Sequence, residues 1–239
     1  MARFRYAVVL EPIPRGWFDE HVGLGHDILA EYLGGEDLPL AGGEHLSPGA
    51  WYSSPDERMK ITVDSWHRQG ETACGMHLDE DDTLMIMSLR LVGASAPRTA
   101  EFAMDTRTDV PYVSWLTAMT SHARVDLERW WAAAARDGGA PAIEGWVKPA
   151  MVRAVFAVTP APARGGRWRV TVRANVRGRG LLAPLTALAL LIFRFRVRRV
   201  FREALDKFAE RWNGEVPALL ATSPDELRER VMTELAKRP

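Results

Sequence analysis

Six histidines, one cysteine and the run Asp79-Glu80-Asp81-Asp82 carry the side chains best suited to acid–base, nucleophilic or metal chemistry in this 239-residue chain. His21 and His26 stand five apart, off a common helix face, and the histidines show no metal-ligand spacing. No metal and no other cofactor is therefore expected. His122 falls near the apolar stripe of a predicted helix. There it is the candidate catalytic residue, a general acid–base toward an enolising substrate, or else a hydrogen-bonded structural histidine. The acidic run reads as a hairpin turn before it reads as a cation site. Cys74 lies on an apolar strand face, where a thiol is inert. Gly178-Arg179-Gly180-Leu181-Leu182-Ala183 fits the dinucleotide fingerprint between a strand and a helix. Its strand has a basic face, no later strand brings a ribose-binding acid, and Arg179 and Pro184 would crowd the phosphate turn. Neither a Gly-x-Ser-x-Gly elbow nor a Walker loop occurs.

The elements that would position these residues follow from hydrophobic period. Phe4 to Leu10 predicts a strand, and residues 17–33 a helix that Gly23 and Gly25 can split in two. Met59, Ile61 and Val63, then Thr72, Cys74, Met76 and Leu78, then Met85, Met87, Leu89 and Leu91, then Ala100, Phe102 and Met104 each alternate with polar neighbours. Short alternating segments joined by turns predict an antiparallel meander. From Leu116 through Met119, Ala123, Leu127, Trp130, Trp131 and Ala134 the spacing turns helical over about seven turns, with Thr108 or Asp109 as cap and Gly138-Gly139 as stop. Met151 to Val158 predicts a strand. Trp168, Val170, Val172, Ala174 and Val176, alternating with Arg169, Arg173 and Arg177, predict another with one apolar and one basic face.

Residues 181–201 decide between a membrane anchor, a nucleic-acid helix and a helix that closes a pocket. A spanning helix needs about 20 apolar residues; Leu181 to Phe193 supplies 13, and Arg194 and Arg196 interrupt the residues beyond. The stripe Val197, Val200, Phe201, Ala204, Leu205, Phe208, Trp212 continues at helical spacing and predicts one helix over about 181–213, ended by Gly214. Its arginines read as a solvated face; an anionic membrane surface or phosphates are the alternatives. Ser223, Pro224 and Glu226 form a capping box and predict a last helix over about 224–237, with Leu227, Val231 and Leu235 on one narrow face.

Composition excludes several classes. Lys plus Arg equals Asp plus Glu at 31 each, without the basic excess of a nucleic-acid binder. One cysteine allows no internal disulfide, and the N-terminal stretch lacks a signal peptide, so a cytoplasmic location is expected. Nine tryptophans point to a large apolar core or a wide aromatic cavity.

The order strand, helix, curved antiparallel meander and long closing helix, with the last strand and helix in RWRVTVRANVRGRGLLAPLTALALLIFRFRVRRVFREALDKF, resembles the START-like helix-grip (SRPBCC) superfamily. The alanine- and arginine-rich composition is similar to that of its actinomycete members, among them polyketide aromatase/cyclases and the START-like proteins of enediyne clusters of the dynemicin type. The resemblance implies an α+β fold of helix-grip units, a curved antiparallel sheet wrapped on a long helix. Two units are expected, residues 1–138 and a shorter one at 139–239. It also implies a small-molecule partner: an elongated, hydrophobic polyketide- or polyene-like ligand in an apolar cavity, without nucleic acid or a transmembrane segment. Met85, Met87, Phe102, Met104, Trp115, Met119, Met151 and Phe193 are its expected lining, methionine being adaptable in shape. An aromatase/cyclase using His122, a self-resistance protein that traps or is consumed by a toxic product, and a peripheral lipid carrier are the alternatives.

Overall fold

The computed structural model describes residues 2–80, 82–108, 117–179 and 192–235. The chain is α+β and its paired strands are antiparallel. It divides into two compact units that interleave along the sequence: Met1–Pro12 with Arg107–Pro217, and Ile13–Thr106 with Ala218–Pro239. Residue 138, the expected boundary, falls inside the first of these.

In the first unit the strand order is β1 (Ala2–Leu10), β11 (Trp168–Gly178), β10 (Val152–Pro162), β9 (Ile143–Pro149) and β8 (Met119–Asp126). The register Phe4↔Ala174, Val8↔Val170 and Leu10↔Trp168 puts the apolar sides of β1 and β11 on one face. Phe4, Val8, Leu10, Trp168 and Val170 are buried there. Helix α2 (Leu127–Ala134) brings Trp130 and Trp131 edge-on to Trp168, at 5.5 and 6.3 Å between ring centroids. Helix α3 (Arg194–Ala221) packs Phe201 against Phe4 and receives a hydrogen bond from the Tyr6 hydroxyl on Asp206. β1 ends the strand order, so its outer backbone groups need partners. Asn213 supplies them: its Nδ2 donates to the Val9 carbonyl and its Oδ1 accepts from the Glu11 amide, while Trp212 Nε1 donates to the Glu11 carbonyl.

Two expectations are corrected here. The helix expected to run through Met119 and Ala123 is a strand until Asp126. The stretch Met119 to Asp126 also alternates with period two, and seven residue pairs of ladder to β9, including His122↔Trp146, outweigh its helical spacing. The cap of the short helix that follows is Asp126, whose side chain accepts from the Arg129 amide. Thr108 ends β7 and does not cap it, and Asp109 lies outside the described residues. Gly214 does not end α3, which continues to Ala221 through Pro217 and buries Val216. The expected first turns of that helix, 180–191, lie outside the described residues, as do Trp115, the glycine-rich 180–183 segment, Asp81 and residues 236–239.

In the second unit the strand order is β7 (Thr99–Thr108), β6 (Thr83–Val92), β5 (Glu71–Glu80), β4 (Met59–Trp66), β3 (Trp51–Ser53) and β2 (Leu40–Gly42). The alternations predicted from sequence hold, and the ladder runs to Glu80↔Thr83, with Asp79 and Glu80 at the end of β5. Helix α1 (Arg15–Tyr32) is unbroken by its two glycines. Its His26 ring lies 4.5 Å from Trp66 and hydrogen-bonds Thr72, while Asp27 pairs with Arg68. Below α1, Leu33, Leu38, Ala50, Tyr52, Ile61 and Val63 form the core. Helix α4 (Pro224–Leu235) starts on the predicted capping box: Ser223 Oγ accepts from the Glu226 amide and the Glu226 carboxylate from the Ser223 amide.

An alanine at Gly145 would press its Cβ into the His122 carbonyl oxygen and the Phe156 ring. Gly145→Ala is expected to lose about 1–3 kcal/mol in urea unfolding. Burial holds the His26 imidazole below the usual histidine range, against the opposing pull of Asp27. The folded state therefore keeps the ring neutral while the unfolded chain takes up its proton near pH 6.5. This contribution is complete above about pH 6.5 and declines as the pH falls toward the depressed folded-state value. Unfolding free energy in His26→Gln is expected to depend less on pH than in the parent between about pH 7.5 and 5.

Candidate functional site

The second unit contains a cavity of about 720 Å³. One face of α1 forms a wall: His21, Leu24, Gly25, Ile28, Leu29 and Tyr32 recur at the three- and four-residue spacing of a helix. Met59 and Ile61 of β4 and Met76 of β5 form the floor, where Ile61 and Met76 are cross-strand partners. Leu227, Val231 and Leu235 of α4 form the third side. An ion pair between Arg228 and Glu31 ties α4 to α1 beside the cavity.

Polarity is distributed unevenly. Ile28 and Ile61 are buried, whereas Asp37, Pro55 and Asp56 are exposed and mark the mouth. Ser54 Oγ donates to Asp56 at 2.6 Å, and with the Arg58 amide this holds the Asp56 carboxyl below the ordinary carboxylate range. No lysine or arginine lines the cavity among the described residues. The apolar chamber thus opens through an acidic rim.

His21 is the imidazole of the lining. Its ring stacks on Trp17 at 3.7 Å, and its Nδ1 lies 2.7 Å from the Trp17 carbonyl. A carbonyl only accepts, so Nδ1 carries the hydrogen. In the neutral ring Nε2 then holds the lone pair, and it is buried without a partner among the described residues.

The residues expected to line a pocket stand elsewhere. Met85 and Met87 are half-buried on β6; they pair with Leu78 and Met76 and so share the face of the cavity floor without lining it. Phe102 and Met104 lie on β7, Phe102 exposed. Met119 is on β8 in the first unit, Met151 is exposed at the β9–β10 turn, and Phe193 is exposed just before α3. His122 also belongs to the first unit. Its ring stacks over Trp146, its β9 partner, on the sheet face opposite Phe4 and Trp168. None of the described members of the set lines the cavity. The sequence signal that falls on this cavity is the narrow stripe Leu227, Val231, Leu235, which is too apolar for a free tail helix.

Comparison with known protein families and with curated protein sequences finds no match. Among solved structures, DynU16, a protein of the dynemicin biosynthetic locus, is similar at 11% identity and a TM-score of 0.21, covering 72% of this chain and 86% of that one. That similarity lies below the level of a shared fold.

A Cβ at Gly25 meets nothing within 4 Å. Because Gly25 sits inside a helix on an open wall, Gly25→Ala is expected to raise stability by about 0.5–1 kcal/mol in urea unfolding. A loss of stability would show that the wall is packed and the cavity filled by protein.

Proposed function

We propose that the protein binds an elongated, uncharged apolar molecule in the second-unit cavity. The cavity itself carries this reading: its volume is that of small-molecule sites, and its walls are mostly aliphatic with a few converging polar groups. Met59 and Met76 give a floor that adapts to irregular shapes. The acidic mouth selects charge. Asp56 is paired with Arg58 at 3.6 Å, so a fatty acid or other carboxylate would meet Asp37 as the like charge, with no lysine or arginine in the described lining to offset it, whereas a neutral or hydroxylated polyene or polyketide would not. The resemblance to START-like proteins supplies that ligand class, with natural-product biosynthesis as its setting. The helix-grip reading is supported by the first unit, where α3 lies across a sheet whose first and last strands pair. If the ligand is converted as well as held, as in an aromatase/cyclase, exclusion of water and a fixed conformation would carry the reaction, with His21 as the imidazole of the lining.

Titration with the neutral dye Nile red and with a dansylated fatty acid tests this. Saturable binding of Nile red is expected, with the fatty acid at least about tenfold weaker, a difference of about 1.4 kcal/mol. Gly25→Phe, which projects a ring into the chamber from a position free of neighbours, is expected to remain folded and to lose Nile red binding. Absence of saturable binding, or binding that survives Gly25→Phe, would refute the assignment.

A further inference from the structure

A second pocket, of about 380 Å³, lies in the first unit at the ends of β9, β10 and β11 and is lined by Lys148, Arg153, Arg177, Gly178 and Arg179. We propose that it binds a phosphoryl group. Among the described residues its lining holds four cationic side chains and no carboxylate. Register makes the crowding unavoidable. Arg153 and Arg177 are direct cross-strand partners, and like charges so placed repel. Their shared face is the one opposite Phe4 and Trp168, so it carries the basic side of β11 rather than its apolar side.

The cations are not absorbed by the protein's own acids. Among the described residues Arg153, Arg177 and Arg179 form no side-chain ion pair, and the Lys148 ammonium instead sits 3.6 Å over the Trp146 ring. The Arg153 Nε is buried and lacks a hydrogen-bond partner among the described residues. A phosphoryl oxygen accepting from the guanidinium would add the charge-assisted hydrogen bonds that the protein itself does not supply there. Three arginines match the tetrahedral oxygens of a phosphoryl group, which offers acceptors in several directions and up to two negative charges. Arg179 is fixed in place by its amide, which donates to the Met151 carbonyl at 2.9 Å.

Free phosphate and a phosphorylated headgroup share this chemistry. The exposed Met151 beside the pocket is an apolar contact that a lipid surface would use and inorganic phosphate would not.

The test uses the full chain, with inorganic pyrophosphate by calorimetry, and with phosphatidylcholine vesicles with or without phosphatidic acid by sedimentation. Saturable pyrophosphate binding is expected, weakened at least about tenfold in Arg153→Gln and in Arg177→Gln, the loss of one charge-assisted hydrogen bond. Arg173→Gln, an exposed arginine of the same strand outside the pocket, should bind as the parent does. Thermal unfolding gives a second readout. Without phosphate Arg177→Gln should unfold no lower than the parent, because it relieves the repulsion; pyrophosphate should raise the melting temperature of the parent and not of the variant. Vesicle binding that requires phosphatidic acid and fails in Met151→Ser identifies a lipid headgroup as the source; pyrophosphate binding without vesicle binding identifies a soluble phosphate. Binding to neither probe, or equal weakening by Arg173→Gln, would overturn the proposal.

Discussion

Helix α4 has three apolar residues with which to cover the ground between α1 and strands β4 and β5, and three are too few to fill it. Leu227, Val231 and Leu235 repeat at intervals of four, which makes a stripe one residue wide. Such a stripe can seat a helix but cannot interdigitate deeply with two other elements. The chamber of the second unit follows from that mismatch. Its position on the helix follows from Gly25, whose missing side chain leaves the α1 wall recessed, with nothing within 4 Å for a Cβ to meet there. Polar groups collect where the chain must turn, at 54–56 and beside Asp37, so the chamber acquires an acidic mouth and an aliphatic interior.

The two pockets show how a chain of zero net charge can hold strong local fields. Acids and bases balance over the whole sequence, yet among the described residues the lining of one pocket has carboxylates without cations and that of the other cations without carboxylates. In the first unit the cause is strand alternation: every second residue of β11 faces away from the helices, and arginine occupies several of those positions. Pairing with β10 then places Arg153 opposite Arg177 with no freedom to avoid it.

Local signals in the sequence are reliable where they compete with nothing. The Ser223–Glu226 capping box forms as its residues predict, and the alternating strands of the second unit pair as their faces require. Residues 119–126 carry both a helical and a two-residue period, and only the partner strand 143–149 decides between them. No local pattern contains that partner. The cavity is hidden for the same reason. Its walls join α1 to α4, about two hundred positions later in the chain, so methionines on β6 and β7 look as good a lining as Met59 and Met76. The spacing of His21 and His26 forms no metal pair, so nothing local singles out His21; the carbonyl of Trp17, which fixes its tautomer, is visible only in three dimensions.

Native mass spectrometry of the purified protein, followed by denaturing extraction, tests the central claim most directly. The account predicts a neutral apolar species bound at one per chain, or taken up at one per chain from added polyene, and absent from Gly25→Phe. A protein that remains at its bare mass with such compounds present, or that retains the species in Gly25→Phe, would contradict it.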